Sequence, residues 1–242
     1  MKSIVKVLGL TAIMALAGSH VQAQFRQSIF LNGNLPSGGW AKDIGASNVP
    51  LGYTEVGKDA IIGFGLGYRV SYRFDVGMGE VAPFVQADAY WNMISKTWRK
   101  KYLDANASAP SYINVPIMAG VSYLYDELWN DITPYAEFGI GADMMFITGE
   151  GAGKINGVEY KRFAYKPSTS LSWMLGLGAY FGRHVSAGIY YYGMGTHTID
   201  YTSSTLKNNM LAKTQLDTDR AINAPRQTRS VGSFVLRLGF HF

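Results

Sequence analysis

From Ile62 to Phe74 the chain reads Ile-Gly-Phe-Gly-Leu-Gly-Tyr-Arg-Val-Ser-Tyr-Arg-Phe, with a large apolar residue at every second position and glycine, serine or arginine between. Successive side chains of a β-strand point to opposite faces, so this period gives one apolar face and one small or polar face. A helix would scatter the same apolar residues around its axis instead of gathering them into a stripe. The alternation returns near the other end, in Phe234-Val235-Leu236-Arg237-Leu238-Gly239-Phe240-His241-Phe242. A chain patterned this way folds as a sheet with one face that avoids water.

Noisier stretches repeat the signal. Strands are predicted near 25–35, 60–74, 81–93, 112–125, 133–146, 169–181, 185–194 and 230–242. Most exceed the soluble average of about five or six residues. They match the roughly 9–11 residues that a tilted strand needs to cross a bilayer. The segments between them alternate in length. Those near 36–59, 94–111, 147–168 and 195–229 are long and polar, and those near 75–80, 126–132 and 182–184 are short. This is the connectivity of an eight-stranded antiparallel up-and-down barrel with both termini at the short-turn end. Pro83-Phe84-Val85-Gln86 and Pro134-Tyr135-Ala136-Glu137 echo each other as the openings of two equivalent strands.

Residues 1–23 read as a cleaved signal peptide. Lys2 and Lys6 precede an apolar run from Val7 to Ala17, and Val21-Gln22-Ala23 offers small residues for cleavage. That run is shorter than the roughly 20 residues of a membrane-spanning helix. The mature domain is then 24–242. Only helices and closed barrels satisfy every backbone group in lipid, so any crossing by this domain must use strands. With no cysteine in the chain, disulfides, thiolate metal sites and thiol nucleophiles are excluded. Removing Lys2 and Lys6 with the leader leaves a net charge of +3, too weak to argue for nucleic acid.

Alternation alone does not say which face is outside. A soluble carrier barrel would turn its apolar face inward. An eight-stranded barrel, however, has an interior just wide enough for side chains to fill or for one small ligand. The bulky apolar residues here are too many for that space, so they are expected outside, against lipid. The other face, rich in glycine and serine with a few charges, is expected to line a narrow lumen. Aromatic residues gather at both strand ends, as membrane interfaces favour. Tyr72, Phe74, Tyr123, Tyr125, Phe181, Phe240 and Phe242 lie by the short turns. Trp91, Phe146, Trp173 and Tyr191 lie nearer the long loops.

The terminal run Phe234, Leu236, Leu238, Phe240 and Phe242 resembles the signature that the barrel-assembly machinery reads in bacterial outer-membrane proteins. With the leader and the strand count, residues 24–242 resemble the small porin-family barrels of the OmpA-transmembrane and OmpX-like type. The resemblance implies an integral outer-membrane location in a Gram-negative cell, periplasmic termini and contact with outer-membrane lipid and lipopolysaccharide. Unlike full-length OmpA, no cell-wall-binding domain is expected after the barrel.

Arg69, Arg73, Gln86, Asp88, Glu137, Asp143, Arg237 and His241 fall on the lumenal face. Charges in a narrow interior need partners, so a network of ion pairs and hydrogen bonds that closes the pore is predicted. Arg69 lies across a hairpin from Gln86 and Asp88, and Arg237 and Glu137 are expected at one level. Lys96, Arg99, Lys100 and Lys101, interleaved with Trp98 and Tyr102, form a basic loop suited to lipopolysaccharide phosphates; a solvated loop tip is the plainer reading. His197, followed by Asp200, Ser203 and Ser204, is the one histidine near the outer loops. Proximity in sequence does not make a catalytic triad. Nor is there a His-x-Ser-Asn stretch like that of the lipid A deacylases. No catalytic, metal or cofactor site is expected. The sequence favours a non-enzymatic barrel supporting the envelope, with a host or surface ligand bound through its outer loops. A passive channel is the alternative, and a lipid A-modifying enzyme ranks below both.

Overall fold

The computed structural model describes residues 24–41, 59–96, 111–125, 131–148, 153–155, 158–199, 201–206 and 227–242. The leader, and with it the domain boundary at 23, lies outside these residues. Eight long strands follow the alternating segments: β1 (Gln24–Ser37), β2 (Ala60–Asp75), β3 (Gly79–Ile94), β4 (Ser111–Tyr125), β5 (Ile132–Thr148), β8 (Ser168–Phe181), β9 (Val185–Ile199) and β11 (Gln227–His241). Three short strands, β6 (Gly153–Ile155), β7 (Val158–Tyr165) and β10 (Tyr201–Leu206), form a separate sheet in the order β10-β7-β6.

The long strands form one closed antiparallel barrel in the order β1-β11-β9-β8-β5-β4-β3-β2. Closure runs from Ser28 opposite His241 to Ser37 opposite Gly232. Phe242 then exchanges two 3.0 Å backbone hydrogen bonds with Gln27, so both strand ends meet at the short-turn rim. At that rim Gly77 adopts φ +88°, and its N–H donates to Asp75 Oδ1 at 2.7 Å, which tightens the turn between β2 and β3. β9 and β11 are longer than predicted, pairing as far as Ile199 opposite Gln227. The long connecting segments 147–168 and 195–229 contain the three short strands.

Sidedness follows the alternation. Phe64, Leu66, Leu175 and Leu238 are 57, 59, 51 and 52% exposed, and their counterparts on every barrel strand point the same way. A belt of large exposed apolar side chains around the whole wall is a surface for hydrocarbon, not for water.

The lumenal face departs from expectation. It is far bulkier than glycine, serine and a few charges. Phe30, Phe84, Tyr90, Tyr112, Met118, Tyr135, Met145, Met174, Tyr190 and Tyr192 are all buried inside. The inward glycines make room for these side chains. Gly65 pairs with Tyr90 and Gly176 with Tyr190, and a Cβ at either glycine would strike the facing ring. The interior is a packed core of large residues over a glycine floor.

Candidate functional site

The lumen is filled in layers, and the central layer is built on two arginines. Arg69 on β2 reaches across to Glu137 on β5, with Nη1 and Nη2 each donating at 2.6 Å to a different carboxylate oxygen. Such a fork-on-carboxylate pair is the strongest ion-pair geometry that proteins use. Ser122 Oγ adds a 3.0 Å bond to Glu137 Oε1. Arg237 on β11 donates from Nη2 to both oxygens of Asp88 at 3.1 Å, and from Nε to Asn32 Oδ1 at 2.9 Å. Gln86 joins the two halves, its Oε1 accepting from Arg69 at 2.6 and 2.8 Å and from Arg237 at 3.1 Å. Its amide nitrogen donates to Tyr192 Oη at 2.7 Å and to Asp88 Oδ2.

Rings complete the desolvation. The Arg69 guanidinium lies 4.0 Å from the Phe84 ring centroid, and that of Arg237 lies 4.4 Å from Phe30 and 4.3 Å from Tyr190. Arg69 is 3% exposed and Arg237 only 1%. Burying charges this deeply is tolerable only because every guanidinium and carboxylate group here is paired and hydrogen-bonded. The two echoed segments supply Gln86 and Glu137, the two residues that hold Arg69.

The lumenal charged set is spread over several levels of the barrel. Arg237 pairs with Asp88, and Glu137 belongs to Arg69. The lumen brings strands together across its width, so the register of neighbouring strands does not fix these partners. Arg73 is not part of the central layer. It lies nearer the short turns, where Nη1 donates to Glu80 Oε2 at 2.9 Å and the guanidinium lies 4.7 Å from the Tyr180 ring centroid. Asp143 is also separate, toward the long loops, with Oδ2 3.1 Å from His197 Nε2. His241 sits below the centre, with Nδ1 and Nε2 each 2.7 Å from a serine hydroxyl, Ser28 and Ser186.

Both ends differ. At the short-turn end a polar vestibule of about 680 Å³ is lined by Arg26, Arg73, Glu80, Asp131, Tyr180 and Arg183 among others. At the other end Trp40, from the segment after β1, folds into the mouth and is fully buried. Its Nε1 donates to Gly232 O at 2.9 Å, and its ring stands edge-on to Tyr112 at 5.8 Å. Sequence reasoning placed this tryptophan in a polar loop and missed it.

His197 is buried. Its Nε2 faces Met194 O at 2.9 Å as well as Asp143 Oδ2, and its Nδ1 faces Ser168 O at 3.1 Å, so the ring is held by two main-chain carbonyls and a carboxylate. Asp200 lies outside the described residues. Of the basic loop, Lys96 is exposed just beyond β3, while Arg99, Lys100 and Lys101 lie outside the described residues. Phe234, Leu236, Leu238, Phe240 and Phe242 all face outward along the last strand. Among the described residues no group of three or more acidic, histidine or cysteine side chains is placed to hold a metal ion.

No protein-family model matches the chain, and no curated protein matches it. Among solved structures, the outer membrane protein OprG from Pseudomonas aeruginosa is similar at 13% identity and a TM-score of 0.47, covering 92% of this chain and 97% of its own. Ail, the attachment invasion locus protein of Yersinia pestis, is similar at 11% identity and a TM-score of 0.41, covering 91% and 99%. Neisserial surface protein A gives 11% identity, a TM-score of 0.39 and the same coverage.

Proposed function

We propose that this chain is an integral protein of the bacterial outer membrane whose barrel does not conduct along its axis, and that it acts by presenting its long loops at the cell surface for adhesion or binding. The observation that carries this reading is the central layer. Two arginines, two carboxylates, Gln86 and the surrounding rings fill the cross-section with side chains bonded to one another. No mobile element has to be invoked to shut it. The exposed apolar belt supports a membrane setting, and the short-turn end then faces the periplasm. Lys96, at the outer end of β3, would lead the basic loop toward lipopolysaccharide phosphates just above the bilayer.

Planar-bilayer recording of the purified, refolded full chain tests the reading. Silence, or only rare irregular events, is expected. Steady openings of defined size would overturn it and favour a passive channel. Heat-modifiable migration on gels, with surface proteolysis confined to the long connections, checks the barrel and its orientation in cells. Lipid A of unchanged mass on expression, with His197→Ala behaving like the parent, is expected; altered lipid A would revive an enzyme reading.

A further inference from the structure

The vestibule at the short-turn end is lined by three arginines that arrive from different elements. Arg73 pairs opposite Gln24, two residues before Arg26, so the two arginines are diagonal neighbours on the inner face. Such positions lie roughly 7–8 Å apart at Cα. Arg26 Nη1 donates to Arg183 O at 2.9 Å, which brings the guanidinium of β1 to the turn between β8 and β9, where the third arginine stands. Arg26 lies within electrostatic range of both the others. Against these three the lining sets two carboxylates, Glu80 and Asp131, so one positive charge is left over.

The central layer beyond the vestibule does not offset this surplus, because its two arginines and two carboxylates already match one another. Glu80 is engaged by Arg73 Nη1 at 2.9 Å. The same guanidinium stacks over Tyr180, and its buried Nη2 has no hydrogen-bond partner in the protein. A water molecule would satisfy that donor, but it carries no charge to offset clustered guanidinium groups; an anion does both. The space of about 680 Å³ is closed on its inner side by the arginine network and has the usual size of a small-molecule site.

We infer that the vestibule binds a small oxyanion, a carboxylate or phosphate group, among the guanidinium groups of Arg26, Arg73 and Arg183. A guanidinium fork matches either group, with parallel N–H donors facing two oxygens. The guest enters from the short-turn rim and goes no further, since the network beyond fills the cross-section. This site is separate from the display of loops at the other end, and it holds whichever side of the membrane the short turns face.

The test uses the full chain refolded in an uncharged maltoside detergent. It is titrated by calorimetry with sodium phosphate, against sodium chloride at equal ionic strength, and crystals are soaked in selenate. Saturable phosphate binding is expected, with a selenate anomalous peak among the three arginines. Arg73→Gln should weaken binding about tenfold or more. Arg183→Glu, on an exposed turn that folding tolerates, turns the surplus negative and should abolish binding. Asp131→Asn should tighten it several-fold, and asparagine accepts the φ of +73° at that position. The same titration in phosphatidylcholine nanodiscs, with or without phosphatidylglycerol, separates two sources of the group. Competition by phosphatidylglycerol assigns it to a lipid headgroup, and undiminished phosphate binding assigns it to a free solute. No saturable binding, no selenate peak among these residues, or full affinity in folded Arg73→Gln and Arg183→Glu would each overturn the assignment.

Discussion

Replacing Glu137 by glutamine removes one charge from the central layer and almost no volume. In the parent protein both terminal guanidinium nitrogens of Arg69 point hydrogens at Glu137 oxygens 2.6 Å away. The amide can offer an oxygen to only one of them. Its NH2 group then meets the other donor, and Arg69 is left buried without a counter-charge. Breaking a buried pair from one side costs about 3–5 kcal/mol. For a domain of this size that corresponds to a fall of about 6–20 °C in the unfolding midpoint. The temperature at which the compact gel band is lost, or denaturant unfolding followed by tryptophan fluorescence, measures this. The double variant Arg69→Met with Glu137→Leu should recover most of the loss. It removes both charges and keeps apolar volume against Phe84 and Phe30, and replacing a whole buried pair in this way is often neutral or stabilising. Gln86 Oε1 would still accept from Arg237. If Glu137→Gln changes stability by less than about 1 kcal/mol, or if the double variant is no better than the single, the paired-charge account of the lumen is wrong.

Other expectations follow from the packing. Gly176→Val should destabilise by at least about 1–3 kcal/mol, because its side chain would enter the Tyr190 ring, while Gly33→Ala, with open space where its Cβ falls, should stay within about 0.5 kcal/mol; paired denaturant titrations compare them. Leu236→Arg on the outer wall should cost roughly 2–4 kcal/mol in a bilayer, and Val76→Arg in the exposed short turn close to nothing, as read by folding into vesicles. Trp40→Phe should lose about 0.5–1.5 kcal/mol with the bond to Gly232 O, and the parent's Trp40 should resist aqueous quenchers.

Much of this architecture could be read from the chain because the barrel wall repeats one local rule. Ile62 to Phe74 and Phe234 to Phe242 obey that rule almost without exception, and the argument from interior volume fixed which face met lipid. The lumen was less legible. Tyr190 and Tyr192 alternate with outward Ile189 and Tyr191, so their inward direction was available, but their scale inside a narrow barrel was not. A usable signal was present in the pairing of inward glycine with tyrosine across a hairpin, as at Gly176 and Tyr190. The partners of Arg69 and Arg237 were harder, because they are chosen across the lumen, between strands that are not neighbours. Trp40 sits in a polar stretch with no periodicity, and only the closed barrel shows that there is a mouth for it to enter.

The seam between β1 and β11 joins residues about two hundred positions apart, from Ser28 with His241 to the paired main chains of Gln27 and Phe242. No hairpin can complete this wall early. A chain delivered from its amino end must keep the free edge of β1, and the unpaired edge of whichever strand arrived last, from sticking to anything else until β11 appears. Such long-range closure is slow, and open edges are adhesive while they wait. The molecule therefore has an obligate interval of vulnerability between export and closure. A defect in β11 should reveal itself as lost yield during biogenesis well before it changes the behaviour of the finished protein.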